Sequence, residues 1–327
     1  MPSRARLILN PSSGADKASD FLLAINQALR ERFGRMEIVI TTGVRDAEDA
    51  AAEAARDGCD RVFVAGGDGT LNEVVNGLVS EGALARVPIG LLPLGTGNDF
   101  ARMLHLSETP EEAIAAMYDA RDVRVDVGTL NGRAFINTSG GGFISNVTEA
   151  LDDRLKSIAG KLAFLIAGGQ AMLEHEPAAA RIEVPVEDFK PLSYETEDVP
   201  AEGPGWRTES GRRVLEMTPH MFAVCNARQI GGGRLIAPHA RIDDGWLDVC
   251  LVDTMPTLEF VALLGKVAAG GSHLDDTRVR YFRARTLEMT FAHDVKVNTD
   301  GELLEAKTCA YGIMPGAARF FVGTSNS

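Results

Sequence analysis

The sequence predicts an α/β fold built on a parallel sheet, and three observations carry that prediction. Short apolar strands alternate with helical stretches through roughly the first hundred residues. Two of those strands run directly into glycine-rich turns that contain an aspartate. The length, 327 residues with 45% hydrophobic content, is enough for about two domains with cores of their own.

Taken in order, Arg6–Leu9 reads as a strand ending in the turn Asn10-Pro11-Ser12-Ser13-Gly14, and Phe21, Leu22, Ile25 and Leu29 mark one face of a helix. Met36–Thr41 is the second strand, Asp46–Asp57 an alanine-rich helix and Arg61–Ala65 the third strand. Val87–Leu92 is the fourth, opening into Pro93-Leu94-Gly95-Thr96-Gly97-Asn98-Asp99-Phe100-Ala101-Arg102. The crossovers have the length that parallel pairing needs, and loops at the carboxyl ends of parallel strands converge on one crevice.

The chemistry sits first in Gly66-Gly67-Asp68-Gly69-Thr70-Leu71-Asn72-Glu73. Glycines let the backbone approach an anion, and the first N–H groups of the following helix point outward with the positive end of its dipole. Asp68 would repel a phosphate unless a cation lay between them, so a magnesium-nucleotide suits the loop better than a bare anion. Read alone, the stretch is also a sound structural strand-turn-helix with an aspartate cap. No Walker lysine follows and the GxGxxG spacing is absent. A second loop with its own carboxylate, Asp99, raises the phosphate-site reading above either loop alone.

In the second half, Val123–Gly128 reads as a strand, Ala134–Phe143 as a strand and tight glycine turn, and 147–155 and 158–173 as helices. Residues 187–211 are rich in proline, glycine and acidic residues, the composition of a solvated, mobile insertion. Phe222–Asn226 is a strand, and Asp243-Asp244-Gly245 an acidic hairpin turn. Val279–Arg285 and Thr286–Thr290 are strands, with Arg278, Arg280, Arg283 and Arg285 read as a solvated edge ahead of a contact with anionic headgroups. Asp300-Gly301-Glu302 places two carboxylates across a β-turn.

A net charge of -13 argues against nucleic-acid binding. Four cysteines without a CxxC pair, and six histidines without HxxxH spacing, point to reduced thiols and no zinc site. The N-terminus enters a strand at once, and the longest apolar runs, near 162–173 and 260–271, are too short to span a bilayer. The expectation is a cytoplasmic protein, at most peripheral at a membrane surface.

The segments Asn10-Pro11-x-Ser13-Gly14, Gly66-Gly67-Asp68-Gly69-Thr70-x-Asn72-Glu73 and Gly95-Thr96-Gly97-Asn98-Asp99-Phe100-Ala101-Arg102 resemble the soluble bacterial diacylglycerol kinase family, whose catalytic domain is shared with sphingosine and ceramide kinases. The resemblance implies a Rossmann-like nucleotide-binding domain over 1–127, rejoined by 315–327, and an antiparallel β-sandwich over 128–314, as in NAD kinase and diacylglycerol kinase. It implies ATP held by Asn10, Pro11, Ser12, Ser13, Gly14, Thr41, Gly66, Gly67, Asp68, Gly69, Thr70, Asn72, Glu73, Thr96 and Asp99. It implies catalytic magnesium near Asp68, Asp99 and Asp126, and a structural magnesium on the Asp244 side chain with the Arg241 and Trp246 carbonyls. Asp300 or Glu302 becomes the base that takes the proton of a lipid hydroxyl, the lipid being presented by a membrane surface, and a homodimer is admitted as the assembly. The Gly-Gly-Asp-Gly loop also occurs in NAD kinases and phosphofructokinases, so that loop does not by itself choose a substrate, and a non-catalytic lipid-binding protein on the same fold stands as the alternative from another class.

Overall fold

The structure is a computed structural model that describes residues 4–12, 25–31, 33–107, 110–116, 120–142, 177–191 and 205–323. Its first half is the predicted α/β unit. Strands β1 (Arg4–Leu9), β2 (Arg35–Ile40), β3 (Arg61–Gly66) and β4 (Ile89–Pro93) are parallel, in the order β2-β1-β3-β4. Residues 25–31 are helical (α1), followed by α2 (Asp46–Arg56), α3 (Asp68–Ser80), α4 (Asp99–Met103) and α5 (Pro110–Ala116).

Helix α2 follows from its sequence: Asp46, Glu48 and Asp49 fill its first turn and Arg56 its last, matching the helix dipole. Its small buried face of Ala47, Ala50, Ala51 and Ala54 lies against Leu71, Val74, Val75 and Leu78 of α3 in one apolar core. Gly77 permits that close packing, since a Cβ there would stand 2.1 Å from the Glu48 carbonyl oxygen.

The sheet does not stop at β4. It runs on through β18 (Glu302–Gly323) into the antiparallel half, giving, among the described residues, one 16-stranded sheet with the continuing order β4-β18-β17-β7-β12-β15-β16-β9. The members are β5 (Ala120–Leu130), β6 (Arg133–Phe135), β7 (Thr138–Gly142), β8 (Ala180–Pro185), β9 (Phe189–Pro191), β10 (Trp206–Glu209), β11 (Arg212–Met217), β12 (Pro219–Cys225), β15 (Leu247–Asp253), β16 (Val279–Ala284) and β17 (Thr286–Thr299). The small pair β13 (Gln229–Ile230) and β14 (Arg234–Leu235) stands apart, and α6 (Thr257–Ala268) follows β15. Alternating inward residues such as Ile182, Phe222, Leu247, Val249, Phe282 and Met289 make the second core. Strand β18 pairs antiparallel with β17 and β5, breaks register between Met314 and Ala318, and then lies parallel to β4 at Phe320 and Phe321.

Several local expectations change. The stretch 134–143 divides into β6 and β7, with its bend at Ile136–Asn137, because the Asp300 carboxylate accepts backbone N–H groups there. The supposed insertion holds a helical turn at Val186–Asp188 and strands β9 and β10, where Phe189 and Trp206 pack on Phe282; residues 192–204 lie outside the described residues. The helices expected over 147–155 and 158–173 also lie outside them. The apolar run near 260–271 is largely helix α6, which buries Phe260, Leu263 and Val267.

The four arginines near β16 do not form a free basic edge. Arg278 pairs with Asp276 and Glu259, Arg280 with Asp253, and Arg283 with Asp244 and Asp248, while Arg285 lies 4.3 Å from the Trp246 ring centre. Strand β9 covers β16 on its outer side. All four cysteines are free and buried, and no described helix is long and apolar enough to cross a membrane.

Candidate active site

Two glycine loops meet at the carboxyl ends of β3 and β4. Their approach is so close that a Cβ on Gly95 would lie 2.5 Å from the Gly67 Cα, which explains why glycine stands at position 95. Asp68 then locks the loops together: its Oδ2 accepts the Asp99 N–H at 3.0 Å and its Oδ1 the Phe100 N–H at 3.0 Å. We expect Gly95→Ala to separate the loops and weaken nucleotide binding at least ~10-fold by calorimetry.

Asp99 is 6% exposed and accepts N–H groups from Gly232 at 3.0 Å and Gly233 at 2.9 Å, with Arg102 at 2.9 Å. Burial raises its pKa above the ordinary carboxylate value; the Gly232 N–H opposes that rise and the charge of Asp68 adds to it. Asp300 sits in the left-handed backbone region, φ 49°, at the turn between β17 and β18. Its carboxylate accepts N–H groups from Ile136 (2.6 Å), Asn137 (3.1 Å) and Thr138 (2.9 Å). Burial nevertheless pushes its pKa up to about 7, outweighing those three donors, and the nearby charge of Asp68 adds to the rise.

Asp68, Asp99 and Asp300 line one cavity of about 410 Å³ together with Thr96, Gly97, Asn137, Thr138, Gly140, Ala223, Gln229, Ile230 and Gly232. Its lining among the described residues holds three carboxylates and neither lysine nor arginine. The donors are all oxygens, the chemistry a hard divalent cation takes, but Asp99 is met by Arg102 and all three carboxylates by backbone N–H groups, and among the described residues no group of three or more carboxylates, histidines or cysteines is placed to hold a metal ion. Asn137 joins both ends of the site, donating its backbone N–H to Asp300 and its Nδ2 to Asp68 Oδ1 at 3.4 Å. The sequence alone does not mark Asn137, Gln229, Ile230 and Asn298, because their placement depends on pairing between strands distant in sequence; the flanking Gly140-Gly141-Gly142 and Gly231-Gly232-Gly233 runs are the signal it offers.

Other expected positions serve the scaffold in this structure. Asn10 donates to Thr70 Oγ1 at 2.9 Å and accepts the Ser12 N–H, tying the first turn to the glycine loop; Pro11 and Ser12 lie on that turn, and Ser13 and Gly14 fall outside the described residues. Thr41 is buried at the end of β2 against the Leu9 carbonyl. Gly66 is buried with no room for a Cβ beside Thr70, while Gly69 is exposed. Asn72 faces inward, its Oδ1 accepting from Asn76, which also bonds Ala134 and so fixes α3 to β6. Glu73 accepts the Ala47 N–H at 3.2 Å and caps α2, away from the cavity lining. Glu302 is held by Arg133, at 2.7 Å and 2.8 Å, and Arg133 reaches Glu48 as well.

Asp126 does not join the Asp68 cluster. It is 2% exposed, and its oxygens accept the Gly245 and Gly316 N–H groups, both at 2.7 Å, so it clamps the acidic hairpin and the β18 break onto β5. Asp126→Asn keeps the shape and loses one of two charge-assisted bonds, so we expect a loss of ~1.5–3 kcal/mol in denaturant unfolding. At Asp244, Oδ2 meets Arg283 at 3.2 Å and Oδ1 the Trp246 N–H at 3.2 Å. In this structure a guanidinium thus meets the Asp244 carboxylate, at the place where the resemblance implies a cation held together with the Arg241 and Trp246 carbonyls.

The first half of the chain, residues 4–130, matches the family profile described as the diacylglycerol kinase catalytic domain, and residues 140–322 match the YegS C-terminal NAD kinase beta sandwich-like domain. The chain belongs to the diacylglycerol kinase and YegS-like lipid kinase family. It is 31% identical over 305 residues to a diacylglycerol kinase of Bacillus subtilis, covering 91% of this chain and 89% of that protein. It is 32% identical over 306 residues to a Pseudomonas aeruginosa protein named "Probable lipid kinase YegS-like", covering 94% and 91%. A crystal structure of a diacylglycerol kinase from Bacillus anthracis shares the fold, with a TM-score of 0.68 at 21% identity over 99% of this chain and 98% of that one. Membership of this kinase family makes the chain a phosphotransferase.

Proposed function

We propose that the chain is an ATP-dependent lipid kinase that transfers the γ-phosphate of ATP to the hydroxyl of a lipid such as diacylglycerol. The observation that carries this reading is the convergence of Asp68, Asp99 and Asp300 on one cavity, where burial pushes the Asp300 pKa up to about 7. Phosphoryl transfer asks chiefly for positioning and charge neutralisation, which a cavity of fixed oxygen donors supplies. In this reading residues 1–127 and the returning 315–327 carry the nucleotide, and 128–314 the lipid, at the surface of a membrane.

Asp300 is the base. The acceptor oxygen forms its bond to the γ-phosphorus as the bond from that phosphorus to the bridging oxygen of ADP breaks, and the acceptor's proton passes to Asp300. A carboxylate near pH 7 accepts a proton readily yet remains ionised in a useful fraction of molecules. Glu302, engaged on both oxygens by Arg133, steadies the turn that carries Asp300. Asp68 and Asp99 would hold magnesium, which when bound neutralises charge on the transferring phosphates. Thr96, on the cavity lining, is placed to donate to phosphate oxygens, while Thr70 holds Asn10 beneath the glycine loop. The acid limb of kcat/KM for the acceptor should therefore show a pKa near 7, with activity falling about tenfold per pH unit below it. A flat profile between pH 5 and 8 would remove Asp300 from the chemistry.

A further inference from the structure

Strand β6 is three residues long and, among the described residues, pairs with β5 alone. So short a strand needs other anchors, and the segment 133–138 supplies them in sequence order. Arg133 forks onto two carboxylates at once: Nε and Nη2 donate to Glu302 at 2.7 and 2.8 Å, and Nη2 and Nη1 to Glu48 at 2.9 and 3.4 Å. Ala134 exchanges both of its backbone groups with the buried Asn76 carboxamide, at 2.9 and 3.0 Å. Ile136, Asn137 and Thr138 then give their N–H groups to the Asp300 carboxylate.

Glu48 and Asn76 are mounted on the helices that carry Asp68. Helix α3 begins at Asp68 and bears Asn76 two turns later; its Gly77 receives the Glu48 carbonyl at close range, and its Glu73 accepts the Ala47 N–H. Glu302, by contrast, lies on the turn that carries Asp300. One guanidinium therefore stands between the two parts of the site, and none of Glu48, Arg133 and Glu302 lines the cavity. A partly exposed ion pair adds little to stability, but two planar forks on one arginine fix geometry in a way that a lysine cannot copy. In-line phosphoryl transfer depends on that geometry, since a misplacement of about 1 Å can cost ~10²-fold in rate. We propose that Arg133 is a positioning residue: by bridging Glu48 and Glu302 it sets the spacing between the nucleotide loops and the base. It acts through the Glu302 turn and the bend that holds Asp300.

This inference rests on the reading of Asp300 as the base of a lipid kinase. The test is steady-state kinetics of the full chain with diacylglycerol in mixed micelles, with nucleotide binding by calorimetry and thermal melts alongside. Arg133→Gln should lower kcat at least ~10-fold while the nucleotide Kd and the acceptor KM stay within about twofold. Glu48→Ala, on a helix outside the cavity, should lower kcat roughly threefold to tenfold, and less than about twofold when added to Arg133→Gln, because the bridge is already cut. Arg133→Lys separates positioning from stability: it keeps the charge and a Tm within a few degrees of wild type, yet kcat should still fall at least ~3-fold. If Arg133→Gln does not melt cooperatively, Glu48→Ala and Arg133→Lys carry the test. Wild-type kcat in the folded variants, full turnover with lysine, losses that multiply in the double variant, or a loss seen in nucleotide Kd instead of kcat overturns the inference and leaves the kinase reading intact. A wild type that phosphorylates no lipid alcohol overturns both.

Discussion

On the proposed assignment of Asp300 as the base, Asp300→Asn is expected to lower kcat by ~10²–10⁴-fold while nucleotide affinity stays near the wild-type value. The reason for separating the two lies in the geometry. Asp300 draws its side-chain hydrogen bonds from Ile136, Asn137 and Thr138, at the bend between β6 and β7, and none from the glycine loops. The pH profile sharpens the test, because the acid limb near 7 should vanish in the variant along with the activity. Stability gives a second readout. Asp300 has its native pKa raised above the ordinary carboxylate value, so between about 4 and 7 the native state binds more protons than the unfolded state. Stability should then fall as pH rises through that window, and the difference between wild type and Asp300→Asn isolates this contribution from the other carboxylates. Glu302→Gln should behave otherwise. It weakens an exchangeable, partly exposed ion pair with Arg133, and a loss of less than ~10-fold in turnover is expected.

Asp68→Asn is the second large effect, ~10²–10³-fold in kcat/KM for nucleotide. Asparagine keeps the shape, and its one oxygen can accept from only one of Asp99 and Phe100, so the second loop loses an anchor while the cavity loses one of three carboxylates. The fold should survive, since both loops sit above the four-stranded parallel core, whose buried side chains the change does not touch. Calorimetric titration with nucleotide in the presence and absence of magnesium checks the assignment: wild type should gain affinity from magnesium and the variant much less. Equal magnesium dependence in both would remove Asp68 from the cation site.

Much of this was legible in the sequence because the relevant interactions are local. Gly66-Gly67-Asp68 and Gly95-Thr96-Gly97 follow directly from strands, and the glycines record backbone contacts that no side chain permits. What the sequence hid depends on pairing between distant strands. Asn137 reads as an ordinary strand residue until β17 and β18 bring Asp300 beneath it, across a separation of 163 residues. Asn72 and Glu73 belong to a motif that suggests ligand contact, yet their side chains are spent on Asn76 and on the α2 terminus, because one face of α3 must pack against β6 and α2. Asp126 resembled a third cavity acid, and the break in β18 at Gly316 draws it instead into a clamp. The choice between Asp300 and Glu302 was open for the same reason: only the position of Arg133 separates the paired carboxylate from the one on the cavity.

The most direct measurement is transfer from γ-labelled ATP by the purified full chain, with products separated by thin-layer chromatography over a panel of lipid alcohols and NAD. The account predicts magnesium-dependent label in a phosphorylated neutral lipid, absent with Asp300→Asn. Label appearing in NADP, or in no acceptor while the folded protein binds ATP, would contradict it.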